Sequence, residues 1–167
     1  ARRTGPGDAA MNRVIRIGAA AVAAAFLLSS CARSAGGAGS YRDGAYVGTY
    51  SHFDPQGWKP QLRIVVAKGR IAQADFDYVN RAGQLKTSDA AYEQAMKAAR
   101  PTYPARYTRE LEDALVKKQE AGVDVVTGAS SSSRAFNALA AAVLAKARTG
   151  DTTGVVLAMD ASYSAED

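Results

Sequence analysis

Hydrophobic positions first alternate along the chain and later recur three and four apart, so the pattern changes from strand to helix near residue 88. Asp43-Gly44 reads as a turn, and the alternation through residues 44–50 puts Tyr46 and Tyr50 on one face of a short strand. Residues 61–66 and 70–78 are β-rich runs on either side of Lys68-Gly69, which predicts a hairpin. Its second run alternates only roughly, through Ile71, Ala74, Phe76 and Tyr78. Ser88-Asp89 can cap a helix that runs to about Ala99, with Tyr92 and Met96 four apart. Pro104 suits the first turn of a second helix, where Tyr107, Leu111 and Leu115 recur every four residues and Gly122 is the stop. A third helix carries the stripe Phe136, Leu139, Ala140, Val143, Leu144 and Ala147, ended by Gly150. Val123-Asp124-Val125-Val126 predicts a short buried strand, and residues 154–159 another. Strands first and helices later predict an α+β fold, a small antiparallel sheet with three helices packed on it.

Upstream of residue 41 the pattern is of another kind. Arg13 and Arg16 precede residues 17–28, a run of 12 without a polar side chain, and Leu28-Ser29-Ser30-Cys31 follows. A positive segment, a short apolar run and small residues describe a secretory signal, since a spanning helix needs about 20 apolar residues. Leu28-Ser29-Ser30-Cys31 resembles the lipobox of bacterial lipoproteins. That resemblance implies cleavage before Cys31, lipidation of its sulfur, and a domain held to the extracytoplasmic face of the cell membrane by acyl chains. Residues 1–30 are thus read as an upstream extension and signal peptide, and residues 31–40 as the lipidated Cys and a Gly/Ser/Ala-rich tether. Residues 41–153 form the exported domain, and residues 154–167 a terminal strand or tail.

Composition then narrows the chemistry. The chain has 167 residues with one Cys and one His, which excludes an intrachain disulfide and a Cys/His zinc site. His52 is the one histidine able to serve as the base of a nucleophilic triad, and it reads as a loop side chain without a partner. Of the formal charge of +5, a surplus of three falls in residues 1–30, which leaves the domain nearly balanced and without a basic stripe for nucleic acid. With no evident paired carboxylates either, a substrate-converting enzyme is the least favoured class.

One segment concentrates the candidate chemistry: Asp124-Val125-Val126-Thr127-Gly128-Ala129-Ser130-Ser131-Ser132-Ser133, running into the third helix. Five hydroxyl residues surround a glycine at a helix N-terminus, where unpaired N–H groups and the helix dipole favour an anion. A Ser-rich N-cap is the plainer reading of the same residues. The segment lacks the Gly-Lys-Ser/Thr of a phosphate-binding loop and the Gly-x-Ser-x-Gly of a nucleophile elbow.

Asp124-Val-Val-Thr-Gly-Ala-Ser-x-Ser-Ser resembles the Asp-x-x-Ser/Thr-Gly-Ala-Thr-x-Ser/Thr signature of the FMN-binding domain family. Asp43-Gly44-x-Tyr46-x-Gly48, Gly57-Trp58-Lys59-Pro60, Lys68-Gly69-Arg70-Ile71 and the run from Asp77 to Asp89 are similar to further segments of its small lipoprotein branch, the membrane immunogens. The resemblance implies that a flavin transferase takes FMN from FAD and esterifies its phosphate to Ser130, where the family usually has Thr. Thr127 is the fallback acceptor, Gly128, Ala129 and Ser131 frame the turn, and Asp124 is the leading acid, read equally as a contact for the transferase or a metal and as a cap or hydrogen-bond partner of the loop. Trp58, Tyr46 and Tyr78 are candidates to stack on the flavin, against an ordinary place in core or rim. Lys59 and Lys86 are candidates to face the phosphate or a flavin carbonyl, with solvated surface lysines as the favoured reading. The implied function is an exported electron-transfer flavoprotein served by a membrane redox donor. A module binding FMN or another phosphorylated ligand reversibly, and a surface lipoprotein without redox role, are the alternatives.

Overall fold

A computed structural model describes residues 41–159, which lie in the compact unit Ser34–Asp167. The signal segment, Cys31 and the tether fall outside the described residues, as does the tail from residue 160. Strand β1 (Gly44–Tyr50), β2 (Trp58–Ala67) and β3 (Arg70–Asn80) precede a 3-10 turn (Lys86–Ser88), helices α1 (Ala90–Ala99), α2 (Pro104–Lys118) and α3 (Ser130–Thr149), and strand β4 (Val155–Leu157). The fold is α+β, as the order of periodicities predicts. The sheet runs β3-β2-β1-β4. Its first three strands are antiparallel, but β4 pairs parallel with β1, Gly48 opposite Val155. The sheet is therefore mixed rather than purely antiparallel.

The rough alternation of β3 has a local cause. Val66 pairs with Ile71 while Val65 pairs with Gln73, so Ala72 is an extra residue and the hairpin carries a bulge there. The bulge resets the phase and returns Phe76 and Tyr78 to the buried face with Ile71. Helix α3 packs on β1 and β2, and α2 packs on β3. Their stripes meet the sheet in one core of Tyr46, Leu62, Ile64, Phe76, Tyr107, Leu111, Phe136, Leu139 and Val143. Gly48 marks the crossing of α3, since a Cβ there would stand 2.7 Å from Val143 Cγ2. At its other end α3 reaches the start of the domain, where Arg42 N donates to Ala147 O (2.8 Å) and Gly150 closes the helix in a left-handed conformation.

Helix α2 also covers the outer edge of β3. Phe76 N donates to Glu112 Oε1 (2.8 Å), Ile71 N donates to Gln119 Oε1 (2.8 Å), and Gln119 Nε2 donates to Ile71 O (2.9 Å). These bonds satisfy backbone groups that an edge strand otherwise leaves open. Gln119, at φ 64°, ends α2 in place of the expected Gly122. Its three side-chain hydrogen bonds, to Ile71 and Val116, hold it in that left-handed turn.

The expected strand at residues 123–126 is absent, because side chains of α3 rather than a neighbouring strand take its backbone groups. Gly122 N and Val123 N both donate to Asn137 Oδ1 (3.0 and 2.8 Å), Asn137 Nδ2 donates to Val123 O (2.9 Å), and Val126 N donates to Ser133 Oγ (3.0 Å). Val123 is buried, whereas Val125 is 56% exposed.

Candidate functional site

The Thr-Gly-Ala-Ser turn joins this pinned segment to α3. Ala129 N donates to Val126 O (3.0 Å), closing a turn in which Gly128 has φ 84°. A Cβ on Gly128 would stand 3.0 Å from Pro101 Cδ, so both its conformation and its packing require glycine. The N-cap of α3 is Ala129, which has no side chain to cap with, and the first turn contains no acidic residue. The four serines are therefore not caps; they form the first turn itself. Ser133 is fully buried and donates to Ala129 O (2.8 Å), so it fastens the turn from within. Ser132 Oγ accepts from Tyr78 OH (3.0 Å), and Ser131 is also buried.

Ser130 is half-buried at the first helical position, beside half-buried Gly128 and buried Ala129. Thr127 and Asp124 are exposed. Asp124 makes no hydrogen bond or ion pair among the described residues, so the capping role open to it passes to Ser133 and Asn137. The arrangement thus offers one partly accessible hydroxyl, Ser130, where α3 presents first-turn N–H groups that have no acceptor within the helix. It offers a second, more exposed one at Thr127.

A second cluster adjoins the turn, and the sequence reading places its central residue wrongly. Lys86 is buried, 8% exposed, and not a solvated surface lysine. Its Nζ lies 4.4 Å from the Tyr92 ring centroid, 4.6 Å from that of Tyr78 and 5.8 Å from that of Trp58. Each such contact contributes roughly 0.5–2 kcal/mol. Among the described residues the ammonium makes no ion pair and no hydrogen bond. Its place is fixed by the strand before it. Buried Asp77 accepts from Thr87 Oγ1 (2.5 Å), Thr87 N (3.3 Å) and Tyr78 N (2.7 Å), clamping the 3-10 turn to β3. Asn80 Oδ1 accepts from Ala82 N and Gln84 N (both 2.9 Å) and forms the loop between them. Asp89 then caps α1 by accepting from Tyr92 N (3.0 Å). The run from Asp77 to Asp89 is thus one device that delivers Lys86 to three aromatic rings. The sequence signal was a lysine between Asp77 and the capping Asp89, with Tyr92 on the adjoining helix.

Two connections bind cage and turn into one region. Tyr78 turns its ring to Lys86 and its hydroxyl to Ser132. Helix α1 places Tyr92 in the cage, and Pro101, just beyond its C-cap, against Gly128. Next to Pro101, the buried Thr102 Oγ1 has no hydrogen-bond partner. Of the other stacking candidates, Trp58 lines the cage, while Tyr46 is fully buried in the core and donates to Arg42 O (2.8 Å). Lys59 is half-buried with Nζ 5.0 Å from the Phe53 ring centroid. His52 is exposed, and its Nδ1 does have a partner, Ser51 Oγ at 2.7 Å. Among the described residues no group of three or more His, Cys, Asp or Glu could hold a metal ion.

No family model matches the chain. Over 144 residues it is 37% identical to the 15 kDa lipoprotein of Treponema pallidum (strain Nichols), covering 86% of this chain and 99% of that protein. Among solved structures it resembles the CPE2226 protein of Clostridium perfringens, at 35% identity and a TM-score of 0.70, over 72% of this chain and 99% of that one. The α+β domain therefore recurs nearly whole in both relatives, and the chain belongs to the family of the 15 kDa lipoprotein of Treponema pallidum.

Proposed function

We propose that the protein is an exported, lipid-anchored flavoprotein that carries FMN on Ser130 and passes electrons outside the cytoplasm. Anchoring rests on the lipobox-like Leu28-Ser29-Ser30-Cys31 and on kinship with a protein named as a lipoprotein. The observation that carries the flavin reading is the first turn of α3: a half-buried serine hydroxyl, a glycine-dependent turn before it, and no acidic residue at the positive end of the helix. These features suit a phosphoester there. The aromatic rings beside it suit a flat, largely apolar ring system.

In the attachment, Ser130 Oγ bonds to the FMN phosphorus of FAD, the pyrophosphate bond breaks, AMP leaves and the hydroxyl proton passes to the transferase. When bound, FMN supplies the electron chemistry. The chain's share is to retain it, orient it and set the polarity around it.

The test is the intact mass of the exported protein made alongside a flavin transferase, beside Ser130→Ala and Thr127→Ala. One FMN less water is the expected gain, lost in Ser130→Ala and kept in Thr127→Ala. Loss in Thr127→Ala alone moves the attachment to Thr127. Yellow protein that releases FMN on denaturation replaces the covalent carrier with a reversible binding module. Colourless protein of unmodified mass overturns the flavin reading and leaves a surface lipoprotein.

A further inference from the structure

Lys86 is held among three aromatic rings and makes no ion pair or hydrogen bond among the described residues, so its ammonium is left for whatever reaches the cage. The bonds of Thr87 to Asp77 hold the backbone of Lys86 against β3, and the residue as a whole is 8% exposed. The rings of Trp58, Tyr78 and Tyr92 attract the cation, while the buried carboxylate nearby in the fold, Asp77, is taken up by Thr87 and the Tyr78 amide. Such a position is built for a ligand that is planar, to lie along aromatic rings, and that carries or acquires negative charge.

We infer that Lys86 is the residue that faces the flavin ring and raises its reduction potential. The inference rests on the flavin reading above and adds to it a specificity-determining side chain. Phosphate and ring are assigned to different parts of the region: the phosphate to the turn at Ser130, the ring to the cage reached across Tyr78, whose hydroxyl meets Ser132 in the same helical turn. Reduction by two electrons and one proton, supplied in the test by dithionite and water, leaves the ring with one net negative charge. Lys86 binds that charged form more tightly than the neutral oxidised one, and the surrounding low-dielectric rings strengthen the preference.

The experiment uses the full chain, exported with a flavin transferase, in wild-type, Lys86→Met and Lys86→Arg forms. Intact mass identifies the flavinylated fraction, and spectroelectrochemistry gives its midpoint potential. Emission of Trp58, the single tryptophan of the chain, reports whether the ring lies at the cage. The expected result is near-complete quenching of Trp58 in flavinylated wild type. The potential of Lys86→Met falls by at least the tenfold loss of reduced-state preference that corresponds to about 30 mV. Lys86→Arg keeps the charge and most of the potential, and it also carries the comparison should Lys86→Met fold poorly. Flavin present with Trp58 unquenched, or with the same potential in Lys86→Met as in wild type, overturns this inference and leaves the flavin reading standing. Wild type without any flavin mass overturns both.

Discussion

At the scale of single residues, two side chains sit where their chemistry is poorly served. Thr102 buries a hydroxyl without a partner next to the Gly128 turn. Valine has the same shape without the hydroxyl, so Thr102→Val is expected to stabilise the fold by about 1 kcal/mol, read as a higher urea midpoint. Glu112 receives the Phe76 amide while partly buried, and burial holds its carboxyl above the usual glutamate range, with Asp75 and Asp113 adding to the rise. The native state then keeps the proton longer than the unfolded chain does. Stability from this group is complete below the ordinary glutamate value and is lost as pH rises through the raised native one. Glu112→Gln keeps an acceptor for Phe76 without the charge. It should exceed wild type in urea midpoint at pH 8 and lose that advantage near pH 4.

Among the elements, the segment before α3 shows how side chains replace a strand partner. Asn137 takes two amides and one carbonyl of residues 122–123, so Asn137→Ala leaves three backbone groups to find water or go unmet. The expected cost is about 2 kcal/mol in denaturant unfolding, with the loss of Val123 burial visible as faster amide exchange at residues 122–126. The same segment marks the limit of what periodicity reveals. Val123-Asp124-Val125-Val126 has strand composition, but nothing in a local pattern says that Asn137 and Ser133 will claim its amides. Helix α1 with its Asp89 cap, α2 with its first-turn Pro104 and α3 with its Gly150 stop were legible because each signal lies within its own helix. The end of α2 was not, since Gln119 is held by Ile71, 48 residues away in sequence.

In the molecule as a whole, legibility follows the same division between local and distant causes. The hairpin of β2 and β3 could be read from Lys68-Gly69, whereas the parallel pairing of β4 with β1 joins residues about a hundred positions apart and could not. Of the candidate site, the turn at Gly128 and its hydroxyls stand in one continuous run. The cage of Lys86 draws on β2, β3, the 3-10 turn and α1, and a lysine read by composition alone belongs on the surface.

The domain begins beside the last turn of α3, where Arg42 meets Ala147, and the candidate site lies at that helix's first turn. Within the 20-residue helix Ser130–Thr149, Ala147 stands about 25 Å beyond Ser130 along the axis. On the proposed flavinylation of Ser130, the cofactor and the first described residues of the domain stand at opposite ends of α3. On that proposal, a redox partner has to reach the end of the helix away from Arg42, and one seated beside Ala147 would be the length of α3 from the electrons it seeks.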